Sequence, residues 1–205
     1  MVSYLTLLAI VLPAAVAPVP AAAAEHAPLA SADTATYRID VGHSELTFRI
    51  RHLMSRASGT FREWTGTITA DPADWSTGSV DVTIQAASID TRHERRDNDL
   101  RSDNFFDVAN HPTISFRSTK VELDGSRIVV TGDLTMKGVT KPIVLTGEFL
   151  GRMGAGTERE RIGFSATGKV NRTDYGIVWN RAVEGGGVLL GDEVEITLAV
   201  EAIRM

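Results

Sequence analysis

Cysteine is missing from all 205 residues of the chain. Disulfides, thiolate catalysis, cysteine-ligated zinc and lipid attachment through an N-terminal cysteine are thereby excluded, and an exported form must rely on its core alone. Charge is missing from the first 24 residues, which hold no Lys, Arg, Asp or Glu. A basic run is missing altogether, and the net charge is -5. Phosphate backbones need clustered Lys and Arg, so nucleic acid is not an expected partner. Also absent are a G-x-S-x-G turn, a phosphate-binding glycine loop and any His-x-x-x-His spacing, which removes the usual short signatures of nucleophilic, nucleotide and zinc chemistry.

The uncharged beginning is apolar almost throughout from Tyr4 to Leu12, then carries Pro13, Pro18 and Pro20 and four alanines, Ala21 to Ala24. This pattern predicts a signal peptide over residues 1–24, cleaved on export to a periplasmic or secreted location. It departs from the pattern only in lacking positive charge at the start. Three prolines and the modest hydrophobicity of alanine disfavour a retained membrane anchor. Residues 25–35 are small and polar and read as a flexible tether. The remainder, residues 36–205, suits one domain with a single core.

From Thr36 onward the dominant pattern has period two. Leu46, Phe48 and Ile50 alternate with Thr47, Arg49 and Arg51; Trp64, Gly66 and Ile68 alternate with threonines; Val80, Val82 and Ile84 share a face. Further strands begin at Ile114 and Phe116 and continue through Val130 to Met136, Ile143 to Phe149, Ile162 to Val170 and Val194 to Val200. One apolar and one polar face per strand predicts an antiparallel sheet wetted on one side. Eight or so such strands joined by turns such as Asp124-Gly125 and Lys137-Gly138 fit an all-β fold, a closed barrel or a two-sheet sandwich. Gly66, Gly132, Gly147, Ala166 and Gly168 fall in phase with the large apolar residues. Two readings stay open there: bends at barrel corners, or a hollow interior of the kind that holds one ligand. A phase break is expected at Ala86-Ala87.

The stretch HERRDNDLRSDNFFD, residues 93–107, interrupts this pattern with dense charge. Thr91 and Glu94 have capping-box spacing, which predicts a short helix from there to about Ser102. Asp97 and Arg101 are spaced for an i,i+4 pair. Leu100, Phe105 and Phe106 are the apolar residues of the insertion and either plug the core or cap one end of a barrel. His93 and Asp97 share a helical face, so an acid-base enzyme, a hydrolase or isomerase, is the alternative to a binding protein; a metal or catalytic base would need further partners. His43 and Ser44, adjacent on an extended segment, point to opposite faces and are poorly placed as a nucleophilic pair.

Six blocks in this order carry a resemblance. They are Asp40-Val41-Gly42-His43-Ser44 with Phe48; Ser88-Ile89-Asp90-Thr91; Arg96-Asp97 with Leu100 and Phe105-Phe106-Asp107; His111-Pro112-Thr113-Ile114 with Phe116 and Ser118; Gly132-Asp133-Leu134-Thr135 with Gly138-Val139-Thr140-Lys141-Pro142; and Asn171-Arg172-Thr173-Asp174-Tyr175-Gly176. Together they resemble the YceI-like family of polyisoprenoid-binding periplasmic proteins, over about Tyr37 to Ile203. The resemblance implies an eight-stranded antiparallel lipocalin-like barrel with a helical insertion around residues 91–107. Its apolar interior would hold an isoprenoid chain, a polyprenyl or quinone tail. The family offers no catalytic residues to transfer. The expected function is lipid binding without catalysis, metal or required cofactor, with transient membrane contact and a homodimer as open options. The expected lining combines the inward phase of the strands, Phe48, Ile50, Trp64, Ile68, Val82, Ile84, Leu134, Leu145, Phe164, Ala166 and Ile196, with Leu100, Phe105 and Phe106 from the insertion.

Overall fold

A computed structural model of the chain describes residues 34–184 and 186–205. The expected signal peptide and nearly all of the expected tether lie outside the described residues. Strand begins at Ala35, the last residue assigned to the tether.

In chain order the elements are β1 (Ala35–Ile39), β2 (Glu45–His52), β3 (Ser55–Phe61), β4 (Trp64–Asp71), β5 (Asp74–Gln85), β6 (Ile89–Asp90), α1 (Glu94–Arg101), β7 (Thr113–Asp124), β8 (Arg127–Met136), β9 (Val139–Met153), β10 (Arg161–Asn171) and β11 (Leu190–Arg204). All described pairings between these strands are antiparallel and closed into a ring. β1 and β2 both pair with β11, β3 pairs with β2 and β6, and β4 pairs with β1 and β5. Each of β1/β2, β3/β4 and β5/β6 is therefore one interrupted stave, and the molecule is an eight-stave up-and-down barrel. Closure leaves no long edge exposed. No described helix is long and apolar enough to cross a membrane.

Side-chain alternation accounts for the inside and the outside. In β8, Ile128, Val130, Gly132, Leu134 and Met136 are buried while Arg127 and Asp133 are exposed; in β4, Trp64, Gly66, Ile68 and Ala70 are buried. The three interruptions are local repairs to the ladder. Between β1 and β2 the 3-10 turn Val41–His43 leaves Glu201 of β11 opposite a gap. Ser44 fills it, its Oγ accepting from Glu201 N at 2.9 Å and lying 3.2 Å from Glu201 O. Between β5 and β6 the expected phase break is a 3-10 turn, Ala86–Ser88. There Ser88 Oγ accepts from Glu63 N at 3.1 Å and Ser88 O from Arg62 N at 3.1 Å, bridging the β3/β4 break. The Asp40–Ser44 and Ser88–Thr91 blocks thus have a structural task at adjoining kinks.

The in-phase glycines mark close approach rather than empty space. A Cβ on Gly147 would fall 1.8 Å from Ser165 O, and one on Gly132 would fall 2.5 Å from the Phe116 ring. Large neighbours already cover Gly66 and Gly168, namely Ile39 and Leu145. At the four glycines a neighbouring backbone or side chain already occupies the place a Cβ would take. Ala166 alone of the five faces open interior.

Strand direction gives the barrel two unlike ends. The turn Leu53-Met54, the insertion carrying α1, the turn Lys137-Gly138 and the long connection 172–189 share one end, here the mouth. The other end, the floor, holds the turns 72–73 and 125–126, the loop 154–160 and the described residues beside both termini. Glu160 is fully buried in the floor. Its carboxylate accepts from Arg152 Nε at 2.7 Å and Nη2 at 2.9 Å, from Gly156 N at 2.7 Å and from Arg204 Nη1 at 3.1 Å, and Tyr37 Oη donates to it as well. The Arg152 hydrogen bonds, helped by Tyr37, Gly156 and Arg204, hold the Glu160 carboxyl down at about 2. Burial and the Glu160 carboxylate push the Tyr37 phenol up to about 12. Above them Trp75 packs on Tyr37 and Phe149, at centroid distances of 5.6 and 5.4 Å, and Phe149 on Phe164 at 5.1 Å.

Two predictions follow from the floor. Glu160→Gln leaves two arginines facing a neutral amide in a buried site, and the variant is expected to lose roughly 3 kcal/mol in urea unfolding. For the pH dependence, a carboxyl whose folded value lies below the free value of 4.5 adds stability that is complete above about 4.5 and lost as pH falls toward 2. A phenol raised from 10.0 to about 12 adds stability that is complete below 10.0 and lost as pH rises toward 12. Unfolding midpoints measured across pH should fall on both sides, and the acid-side fall should be much shallower in Glu160→Gln.

Candidate functional site

Inside the barrel lies a cavity of about 430 Å³, within the roughly 300–1,000 Å³ typical of ligand pockets. A fully packed interior is thereby ruled out. Its wall is apolar nearly throughout and draws on every stave. β2 contributes Phe48 and Ile50, β4 Trp64 and Ile68, and β5 Val82 and Ile84. Across the barrel, β8 supplies Leu134, β9 Leu145, β10 Phe164 and Ala166, and β11 Ile196. Leu100, Phe105 and Phe106 of the insertion join the same wall at the mouth. Small side chains at Ala57, Ala70 and Ala166 keep the volume open.

The aromatic pairs stand at the two ends. Trp75, Phe149 and Phe164 close off the floor. At the mouth Phe61 packs on Phe48 at 5.7 Å and on Phe106 at 5.8 Å, and Phe105 packs on Trp179 at 5.3 Å. The insertion therefore does both things offered for it: Phe105 is buried in the core, while Leu100 and Phe106 are half-buried and border the cavity.

Its polar residues depart from the expected arrangement. The helix cap is His93, whose Nδ1 accepts from Arg96 N at 3.2 Å; Thr91 and Glu94 form no capping box. Thr91 is buried and turned inward because Arg92 adopts a positive φ of 60°, which offsets the chain before α1 starts. Asp97 does not pair with Arg101. Its buried carboxylate accepts from Thr91 N at 2.9 Å and from Thr91 Oγ1 at 2.5 Å, and Arg96 Nε donates to the same hydroxyl at 2.7 Å. Arg101 instead donates to the carbonyls of Ala87 and Ile89, at 2.7 and 2.9 Å. These bonds latch α1 across the end of the β5/β6 stave. His93 is exposed, outside the cavity wall and bonded through Nδ1 to Arg96 N, while Asp97 is bonded to Thr91, so no bond joins the two as an acid-base pair among the described residues.

Arg172 and Trp179 were not expected at the site. Arg172 is buried, and burial pushes its guanidinium down from the usual range. It donates to Ile177 O at 2.6 Å, Trp179 O at 2.8 Å and Gly191 O at 2.9 Å, and meets Asp192 at 3.1 Å. One cation thus gathers the long mouth connection and sets Trp179 against Phe105. Arg172 itself opens a 3-10 turn, Arg172–Tyr175, closed by Gly176 at φ 73°. The few polar residues of the wall are His52, Thr91, Arg96, Asp99 and Arg172 at the mouth and Thr47 and Ser165 along the strands.

Elsewhere, Asp40, His43 and Glu201 bring ligand-type atoms within 4.8 Å of one another. Arg161 already bonds both carboxylates, at 3.1 Å to Asp40 and closely to Glu201, so the cluster is neutralised by a side chain. Hydrogen bonds from His43 and Arg161 hold the Asp40 carboxyl below its usual range.

Comparison with known proteins agrees with this architecture. The YceI-like domain matches residues 37–202. The protein YceI of Escherichia coli O157:H7 is 37% identical over 177 residues, covering 85% of this chain and 90% of that protein. Among solved structures, the YceI protein of Campylobacter jejuni is 32% identical with a TM-score of 0.63, over 76% of this chain and 90% of that one. A polyisoprenoid binding domain from Saccharophagus degradans shares the fold at 16% identity, with a TM-score of 0.59 over 82% of this chain and 98% of that one. The chain belongs to the YceI-like family.

Proposed function

We propose that this protein is an exported binder that takes the tail of an isoprenoid lipid, a polyprenyl or quinone chain, into the barrel and sequesters or carries it without catalysis. The observation that carries the reading is the apolar cavity inside the barrel, walled by all eight staves and with few polar groups in its lining. The relative from Saccharophagus degradans, described as a polyisoprenoid binding domain, lends support from the same fold. Export is supported by the uncharged apolar leader with its alanine run.

Elementary energetics make such a site sufficient. Burying about ten methylene-sized groups gives roughly 8 kcal/mol of gross transfer free energy. Lost motion of tail and protein offsets part of it. The wall contains no built array of polar donors, so tails of similar width should compete closely. A quinone would then be cargo, and no resident cofactor is required.

Two outcomes are expected. Organic extraction of the native purified protein, followed by mass spectrometry, should yield a prenyl lipid or show uptake of one supplied; retention of none and uptake of none would overturn the reading. Ala166→Trp, which fills open interior, should cut retained lipid severalfold at an overpacking cost of about 1–3 kcal/mol. The outward variant Val144→Ala on β9 should leave retention unchanged.

A further inference from the structure

The mouth carries large apolar side chains on its outer surface as well as its inner one. The β2–β3 tip is Leu53-Met54; Leu53 is 42% exposed and Met54 fully exposed. On the neighbouring connection Val178 is 67% and Val188 42% exposed. The two segments are tied together, since Leu53 N donates to Leu189 O at 2.9 Å. Leu189 and Leu190 then line the cavity, as do Ile50 and His52 directly before the tip. Large apolar side chains therefore stand on both the inner and the outer side of the same two rim segments.

The tip holds these residues at a conformational cost. Leu53 adopts φ 51°, a left-handed backbone that Asn or Gly takes more readily. A two-residue hairpin built only for folding would place a small or polar residue there. Leucine followed by methionine gives up turn preference for exposed apolar area, and exposed apolar patches mark contact surfaces. Arg51, beside the tip, and Arg181, on the neighbouring connection, flank the patch; both are exposed and enter no ion pair among the described residues, although the chain as a whole is acidic.

We infer that the mouth is a bilayer-docking surface: Leu53, Met54, Val178 and Val188 enter the interface of an anionic membrane while the rim arginines face its headgroups, so that a prenyl tail passes between bilayer and cavity without crossing water. The choice of a bilayer as the occupant rests on the lipid-binding reading above. Apolar area with flanking cationic charge is the combination that anionic interfaces hold.

The absence of cysteine lets a single introduced thiol report on one place. Full-length Met54→Cys, carrying a polarity-sensitive dye, should shift to the blue on phosphatidylglycerol vesicles and much less on phosphatidylcholine. Met153→Cys, exposed beside the floor, should not shift on either. Loading is then compared from two sources. Leu53→Asn with Met54→Ser relaxes the turn and removes the apolar tip; it should load a prenyl quinone from detergent solution at the native rate but from phosphatidylglycerol vesicles about tenfold more slowly, as falls with lost apolar insertion. Equal dye shifts at both positions, no shift at either, or native-rate loading from vesicles by the double variant would overturn the docking surface. Concentration-dependent self-association abolished by the double variant, without vesicle binding, would overturn it in favour of a second copy. Failure of the native protein to load from either source would instead sink the lipid-binding reading, and the dye measurement would still decide the docking.

Discussion

Closure of the hydrogen-bond ring through β11 is the constraint on which the other features depend. β11 satisfies β10 along one side and must satisfy β1 and β2 together along the other. If that seam opened, two rows of backbone amides and carbonyls would need water, and the apolar interior would be wetted from the side. With the seam shut, backbone polarity is spent within the wall, and side chains alone decide what the interior resembles. They make it oil-like. The serines at the kinks serve the same end, because Ser44 and Ser88 supply bonds where the ladder would fail.

Within that ring the two ends are stabilised by different physics. The floor is electrostatic and dense: a buried carboxylate held by two guanidiniums, a phenol and an amide, roofed by three further aromatic rings. Such a cluster is stable only when complete, since each member left alone would be a costly buried polar group. The mouth is built from separate pieces latched by side chains to backbone, with Asp97 on Thr91, Arg101 on Ala87 and Ile89, and Arg172 on the 177–191 segment. These latches set a lid over the cavity without filling it.

How much of this was legible in sequence follows from the range of each signal. Period-two alternation is local, so the strands, their inner faces and the wall residues from Phe48 to Ile196 could be read directly. The kink at Ala86-Ala87 showed for the same reason. Asp97 could not be placed by spacing, because a positive φ at Arg92 rotates Thr91 into its reach before the helix begins. Glu160 sits in the polar run Thr157-Glu158-Arg159-Glu160-Arg161, which reads as solvent-facing. Its partners Tyr37 and Arg204 lie 123 and 44 residues away, and only barrel closure brings them together. At the glycines two readings stayed open: a missing side chain leaves either space or a place that a neighbour's ring or backbone occupies, and sequence alone does not say which.

The dense floor has a consequence for any guest of the barrel. If a lipid binds as proposed, entering at the mouth with its tail toward the aromatic floor, it must back out along the same path and its head stays at the lid. Exchange would then be sequential, one guest leaving before the next arrives, and occupancy could be sensed from outside at one face only.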